Sequence, residues 1–148
     1  MGRAPRNLHI RPLRASDYDD VIGLLAAAKM NPHTRGREGR TAFRRQLTVH
    51  RTTYLGAFVG DRLVGCVFGT HDSRKGWINR LAVDPKWRRR GIASRLVGEC
   101  ERRLRDRGMD MFAALIESDN RASVALFRAH GYNVTRLHYA RKKRRKSV

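Results

Sequence analysis

Arg88, Gly91 and Ala93 stand at a spacing that suits the binding of an anion. They belong to a compact basic loop, Lys86-Trp87-Arg88-Arg89-Arg90-Gly91-Ile92-Ala93, which follows the apolar run Trp77–Val83 and the stop Asp84-Pro85. After it, Ile92, Leu96, Val97, Cys100 and Leu104 recur on one face of a helix. The first N–H groups of a helix have no internal partner and point outward, and the helix dipole favours negative charge there. Gly91 lets the backbone approach a ligand closely, and Ala93 leaves the first turn unobstructed. A pyrophosphate fits such a turn. The loop is neither a G-x-G-x-x-G fingerprint, since Gly91 stands alone, nor a P-loop, since no Lys-Ser or Lys-Thr follows it.

The elements that must position this loop follow from patterning. Leu8–Leu13 reads as a first strand, with Ser16 as N-cap of a helix reaching about Lys29 and burying Val21, Ile22, Leu25 and Ala28. A Gly- and Arg-rich loop over residues 31–40 precedes a short helix with Phe43 and Leu47 facing the core. Thr53–Val59 and Leu63–Thr70 form a hairpin about Gly60-Asp61-Arg62. The Trp77–Val83 strand, the central helix ending at Gly108, and the wholly apolar Met111–Ile116 run make a strand–helix–strand crossover with a buried parallel strand. A last helix opens at Asn120 and closes at Gly131, and Tyr132–Tyr139 reads as a final strand.

The charge is unusual: 33 Lys and Arg against 13 Asp and Glu give +20, and only six of the basic residues are Lys. Such a field attracts phosphates, nucleic acid or acidic protein surfaces. At 148 residues and 41% hydrophobic content the chain reads as one domain, residues 1–140, with a basic tail over 141–148. No apolar run approaches a membrane span, and the basic N-terminal stretch lacks the apolar region of a signal peptide, so a cytoplasmic protein is expected. Cys66 and Cys100 read as small core hydrophobes, and the six histidines show no metal-ligand spacing, so no metal is expected.

Two motifs carry a family resemblance. Arg88-x-x-Gly91-x-Ala93 after Leu81-Ala82-Val83-Asp84-Pro85, and Asn120-Arg121-Ala122-Ser123-Val124-Ala125-Leu126-Phe127 ending at Gly131-Tyr132, resemble the two signatures of the GNAT N-acetyltransferases. The resemblance covers about Leu8 to Tyr139. It implies a single α/β domain of that type, with a mixed sheet of six to seven strands and about four helices, and acetyl-CoA as cosubstrate. It further implies that the backbone of Leu81, Ala82 and Val83 bonds the pantetheine arm and the acetyl carbonyl. Arg88, Arg89, Arg90, Gly91, Ile92, Ala93 and Ser94 would hold the pyrophosphate, with Asn120 and Phe127 bordering the CoA arm. The 31–40 loop would border the acceptor.

The family's acid and base positions are altered. The tyrosine that often protonates the departing thiolate is replaced by Phe127, and positions that carry a glutamate base in other members hold Leu115, Asn79 and Arg80. Three outcomes stay open. Glu117, His71, Tyr54 or Tyr139 could substitute, water could carry the proton, or the protein could bind acetyl-CoA without useful turnover. The expected activity is transfer of an acetyl group to a primary amine: a protein N-terminus, a Lys or a small amine. The alternative is a basic RNA- or ribosome-associated module with little turnover. A monomer and a homodimer are both compatible with the sequence.

Overall fold

A computed structural model describes residues 2–146. Five strands form one sheet in the order β1-β2-β3-β4-β5: Leu8–Pro12, Tyr54–Val59, Arg62–His71, Gly76–Val83 and Phe112–Ala113. The first four pair antiparallel; β5 pairs parallel to β4. Four helices flank the sheet: α1 Tyr18–Ala27, α2 Arg40–Val49, α3 Ile92–Asp106 and α4 Arg121–Ala129.

Each face of the sheet carries its own core. Leu55, Ala57, Val64, Val67 and Ile78 pack with Ile92, Leu96, Val97, Cys100 and Leu104 of α3 and with Phe127 of α4. Tyr54, Phe58, Leu63, Cys66, Phe68 and Ala82 pack with Val21, Leu24 and Leu25 of α1 and Phe43 of α2. Helix α3 sits close because β3 and β4 carry glycines beneath it. A Cβ at Gly69 would lie 2.6 Å from the Cys100 sulfur, and one at Gly76 2.8 Å from Leu104.

The sheet is smaller than the resemblance implies, with five strands rather than six to seven. Of the apolar run Met111–Ile116 only Phe112 and Ala113 pair, and the run is not buried throughout: Met111 and Leu115 are 60% and 59% exposed, while Phe112, Ala114 and Ile116 rest on the α3 core. Tyr132–Tyr139 forms no strand, and Leu137 and Tyr139 stand out in solvent. A strand needs an edge to bond to, and two residues of β5 offer almost none. Ser16 is not the cap of α1. It lies inside a 3-10 turn, Ala15–Asp17, where the Asp17 carboxylate accepts from the Arg14 N–H at 2.7 Å and from the Arg11 guanidinium.

Candidate acyl-transfer site

Strand β4 is regular up to Asn79 and then bulges. Phe68 faces Asn79 and Cys66 faces Ala82, so Arg80 and Leu81 together oppose Val67. Arg80 takes φ 49°, a left-handed conformation that costs an L-residue about 1–2 kcal/mol. Three tethers hold it there. Its guanidinium pairs with Glu38 and donates to the Met30 carbonyl at 2.8 Å, and its own carbonyl accepts from the Cys66 thiol at 3.5 Å. Burial pushes that thiol up to about 12, so it stays protonated and able to donate.

β4 parts from β5 before the bulge. Pairing is confined to Gly76 with Phe112 and Trp77 with Ala113. From Ile78 to Val83 the β5-facing edge of β4 has no strand beside it, and that edge includes Leu81, Ala82 and Val83. Unpaired backbone donors on a fixed strand are suited to hold an amide-rich arm and to stabilise an oxyanion.

The basic loop continues directly from this edge. Asp84 caps a 3-10 turn, Pro85–Trp87, and Arg88 folds back so that its Nε donates to the Val83 carbonyl at 3.3 Å. Arg89 and Gly91 both adopt left-handed backbone, φ 63° and 73°, and Gly91 caps α3. The first intrahelical bond there is Arg95 N–H to Gly91 carbonyl at 3.1 Å, so the N–H groups of Ile92, Ala93 and Ser94 have no helical acceptor. A Cβ built on Gly91 meets nothing within 4 Å, so the turn opens onto free space. Arg88, Arg89 and Arg90 are exposed around it. The donors and the opening fit a pyrophosphate. The backbone of Gly2 donates to the Arg89 carbonyl at 2.7 Å, laying the N-terminal arm along the same loop.

Two residues that the sequence reading did not single out join this region. The Ser94 hydroxyl bonds the His130 ring at 2.8 Å, tying the first turn of α3 to the end of α4. Glu38, 6% exposed, lies in the loop before α2 and reaches the β4 bulge. Its one sequence signal is that it is the only acid between Pro32 and Arg40, amid Arg35, Arg37 and Arg40.

The remaining named residues are spread out. Asn120 caps α4 by accepting from the Ser123 N–H at 3.1 Å. Phe127 is buried and meets Tyr132 edge-on at 4.9 Å. Tyr54 is buried, stacks on Phe68 at 4.4 Å and donates to Gln46. Burial, and then the Glu38 carboxylate, push its hydroxyl up to about 12. His71 closes β3 opposite Gly76, roughly 16 Å along the strand from Leu81 at about 3.3 Å per residue. His50 lies between Tyr54 and His71, 5.7 and 5.9 Å away. Glu117 is an exposed turn residue and Tyr139 is 66% exposed. Thus only Tyr54 lies near the bulge, in the same core as Cys66, Phe68 and Ala82 and within the field of Glu38. Among the described residues no three His, Cys, Asp or Glu side chains could hold a metal ion, and no helix is long and apolar enough to cross a membrane.

Comparison with known proteins agrees with this geometry. The family model for the acetyltransferase (GNAT) family matches residues 13–132. An acetyltransferase of Photorhabdus laumondii is 31% identical over 118 residues, covering 79% of this chain and 80% of the relative. One from Sodalis glossinidius is 28% identical over 127 residues, covering 86% and 88%. Among solved structures, the PaiA N-acetyltransferase of Thermoplasma acidophilum in complex with coenzyme A superposes with a TM-score of 0.76 at 16% identity, over 86% of this chain and 91% of that one. The ribosomal-protein-S18-alanine N-acetyltransferase of Escherichia coli gives 0.72 at 17% identity, over 87% and 79%. The chain belongs to the GNAT acetyltransferase family.

Proposed function

We propose that the protein takes acetyl-CoA as cosubstrate and transfers the acetyl group to a primary amine in a ternary complex. The observation that carries this reading is the continuity of the open β4 edge at Leu81–Val83 with the unpartnered N–H groups of Ile92, Ala93 and Ser94. A thioester lying along that edge would have its carbonyl polarised by backbone donors and its phosphates at the helix start. The amine nitrogen attacks the carbonyl carbon, the C–S bond breaks, an amide forms, and the proton lost by the amine balances the one gained by the thiolate. Water serves as the proton carrier in this reading, because Phe127 has no proton to exchange and Tyr54 is held up to about 12.

The acceptor is inferred to carry acidic groups near its amine. Among the described residues only seven of the 33 Lys and Arg pair with a carboxylate. The loop over 31–40 that flanks the bulge adds Arg35, which is exposed and makes no ion pair among the described residues. That surface repels polyamines and draws anionic partners. The test is thiol release from acetyl-CoA against a pooled panel of small amines and N-terminal peptides, beside CoA binding by calorimetry. Turnover that favours acidic peptides supports the reading. Preference for polycations removes the acceptor class, and absence of CoA binding removes the site.

A second reading, a basic module that binds RNA with little or no turnover, is favoured by one feature. Residues 141–146 of the proposed basic tail are exposed and make no ion pair among the described residues; residues 147 and 148 of that tail lie outside them. RNA binding that falls steeply with salt and is lost on deleting 141–148, with no turnover against the panel, would favour it.

A further inference from the structure

We propose that Glu38 is a positioning residue for acyl transfer: acting through Arg80, it holds the β4 bulge in the conformation that presents the backbone of Leu81–Val83 to the acyl group. The proposal deepens the reading above and rests on it. The family resemblance places a proton-accepting glutamate on this strand in other members, whereas here a glutamate arrives from a different element with a different task.

The geometry separates positioning from proton transfer. Both oxygens of Glu38 are engaged: Oε1 meets the Arg80 guanidinium and accepts from the His33 N–H at 3.4 Å, and Oε2 lies 3.3 Å from Arg37. A carboxylate held by two guanidiniums and a backbone donor, in a residue 6% exposed, has its lone pairs committed to these partners. Its own backbone is fixed as well. The Glu38 carbonyl accepts from the buried Tyr18 hydroxyl at 2.6 Å, and its N–H donates to the His33 carbonyl at 3.0 Å. The loop is tight, since a Cβ on Gly39 would sit 2.9 Å from the Thr34 carbonyl oxygen. Glu38 is therefore a rigid post, and Arg80 is the arm it holds.

What it holds is unfavourable by itself. Arg80 at φ 49° is a non-glycine residue in left-handed backbone, at the position from which the following peptide planes are aimed. Without its ion pair the arginine is free to return to extended backbone. Leu81, Ala82 and Val83 would then rotate away from the edge they present. Phosphate binding at Ile92–Ser94 lies beyond this hinge and is anchored separately by the Asp84 cap on the Pro85–Trp87 turn and by Gly2 on Arg89.

The test uses the full chain and three variants: Glu38→Gln, Arg80→Gly, and the two combined. Glycine adopts left-handed backbone without support, so it supplies what the ion pair supplies. With the best acceptor of the amine panel, Glu38→Gln is expected to lower kcat at least tenfold, while the Kd for CoA, which keeps the pyrophosphate contacts and loses only those of the arm, rises by less than kcat falls. The double variant is expected to recover kcat to within threefold of the parent. In ¹⁵N spectra without any ligand, the amides of Leu81, Ala82 and Val83 are expected to move in Glu38→Gln and return in the double variant. Unchanged kcat and unchanged amides in Glu38→Gln would overturn the proposal. So would a double variant as slow as Glu38→Gln, which would make Glu38 the base itself. Failure of the underlying reading looks different: the parent protein would neither bind CoA nor release thiol.

Discussion

Ile78 and Ala82 lie four residues apart on β4 and face opposite sides of the sheet. Ile78 packs in the core beneath α3, and Ala82 packs with α1 and α2. Residues four apart on an uninterrupted strand share a face, so one extra residue has been absorbed between them, and Arg80 with its left-handed backbone is where. Pairing with β5 has already ended three residues earlier, at Trp77 with Ala113. One conformational exception thus sets the alternation of the core, and it lies within the stretch of β4 that has no strand beside it.

A β-branched side chain at this position cannot adopt that backbone without strain, whereas glycine can. Arg80→Val and Arg80→Gly both leave Glu38 without its main partner, so that cost is common to them. We expect Arg80→Val to be less stable than Arg80→Gly by about 1–2 kcal/mol, the cost of a left-handed L-residue. Urea midpoints of the two proteins measure the difference. Equal midpoints would mean that the bulge does not persist when the arginine is removed.

Gly91 is the second left-handed position in the site, and its surroundings are empty. A methyl group there meets no protein atom, so the cost of Gly91→Ala is conformational, about 1 kcal/mol on stability. The methyl also projects into the space above the turn. CoA affinity is therefore expected to fall about tenfold, equivalent to roughly 1.4 kcal/mol. Calorimetry with CoA against a thermal melt separates the two effects. An unchanged Kd would move the phosphate site away from this turn.

The basic turn after β4 and its helix were legible because each uses local chemistry: a strand stop at Asp84-Pro85, one glycine, and an apolar stripe from Ile92 to Leu104 whose five members are all buried. The caps at Asn120, Gly108 and Gly131 were legible for the same reason. The end of the sheet was not. Met111–Ile116 and Tyr132–Tyr139 have strand-like composition, but whether such a run pairs depends on an edge elsewhere, and β5 stays beside β4 only at Gly76 and Trp77. Glu38 was hidden differently. A single acid in an arginine-rich loop reads as solvated, and its burial depends on a partner 42 residues further along the chain.

Tyr54 offers a separate check on proton transfer. Its hydroxyl donates to Gln46 at 3.2 Å, and its pKa stands at about 12, too high to follow proton demand near neutrality. Tyr54→Phe is expected to keep kcat within about twofold and to cost about 1 kcal/mol for the lost hydrogen bond. The rise of kcat/KM with pH should follow the acceptor amine and be the same in both proteins. A loss of two orders of magnitude in kcat would make Tyr54 the general acid that Phe127 cannot be.

Asp17 links the β1–α1 junction to pH. Burial raises its carboxyl pKa, but two hydrogen bonds from Arg11, at 2.9 and 3.1 Å, and one from the Arg14 N–H outweigh that, so the group ends below its ordinary value of 3.8. A carboxyl whose folded pKa is depressed adds stability above its unfolded pKa and loses it as pH falls through the folded value. Asp17→Asn is therefore expected to cost about 1.5–3 kcal/mol at pH 7, the range for hydrogen bonds to a charged group. The gap to the parent should hold down to about pH 4 and then narrow as Asp17 itself takes up a proton. Urea unfolding of both proteins from pH 7 to pH 2 measures it. A gap that stays constant to pH 2 would assign the cost to shape rather than charge, and a gap that closes above pH 5 would mean the carboxyl is not held low at all.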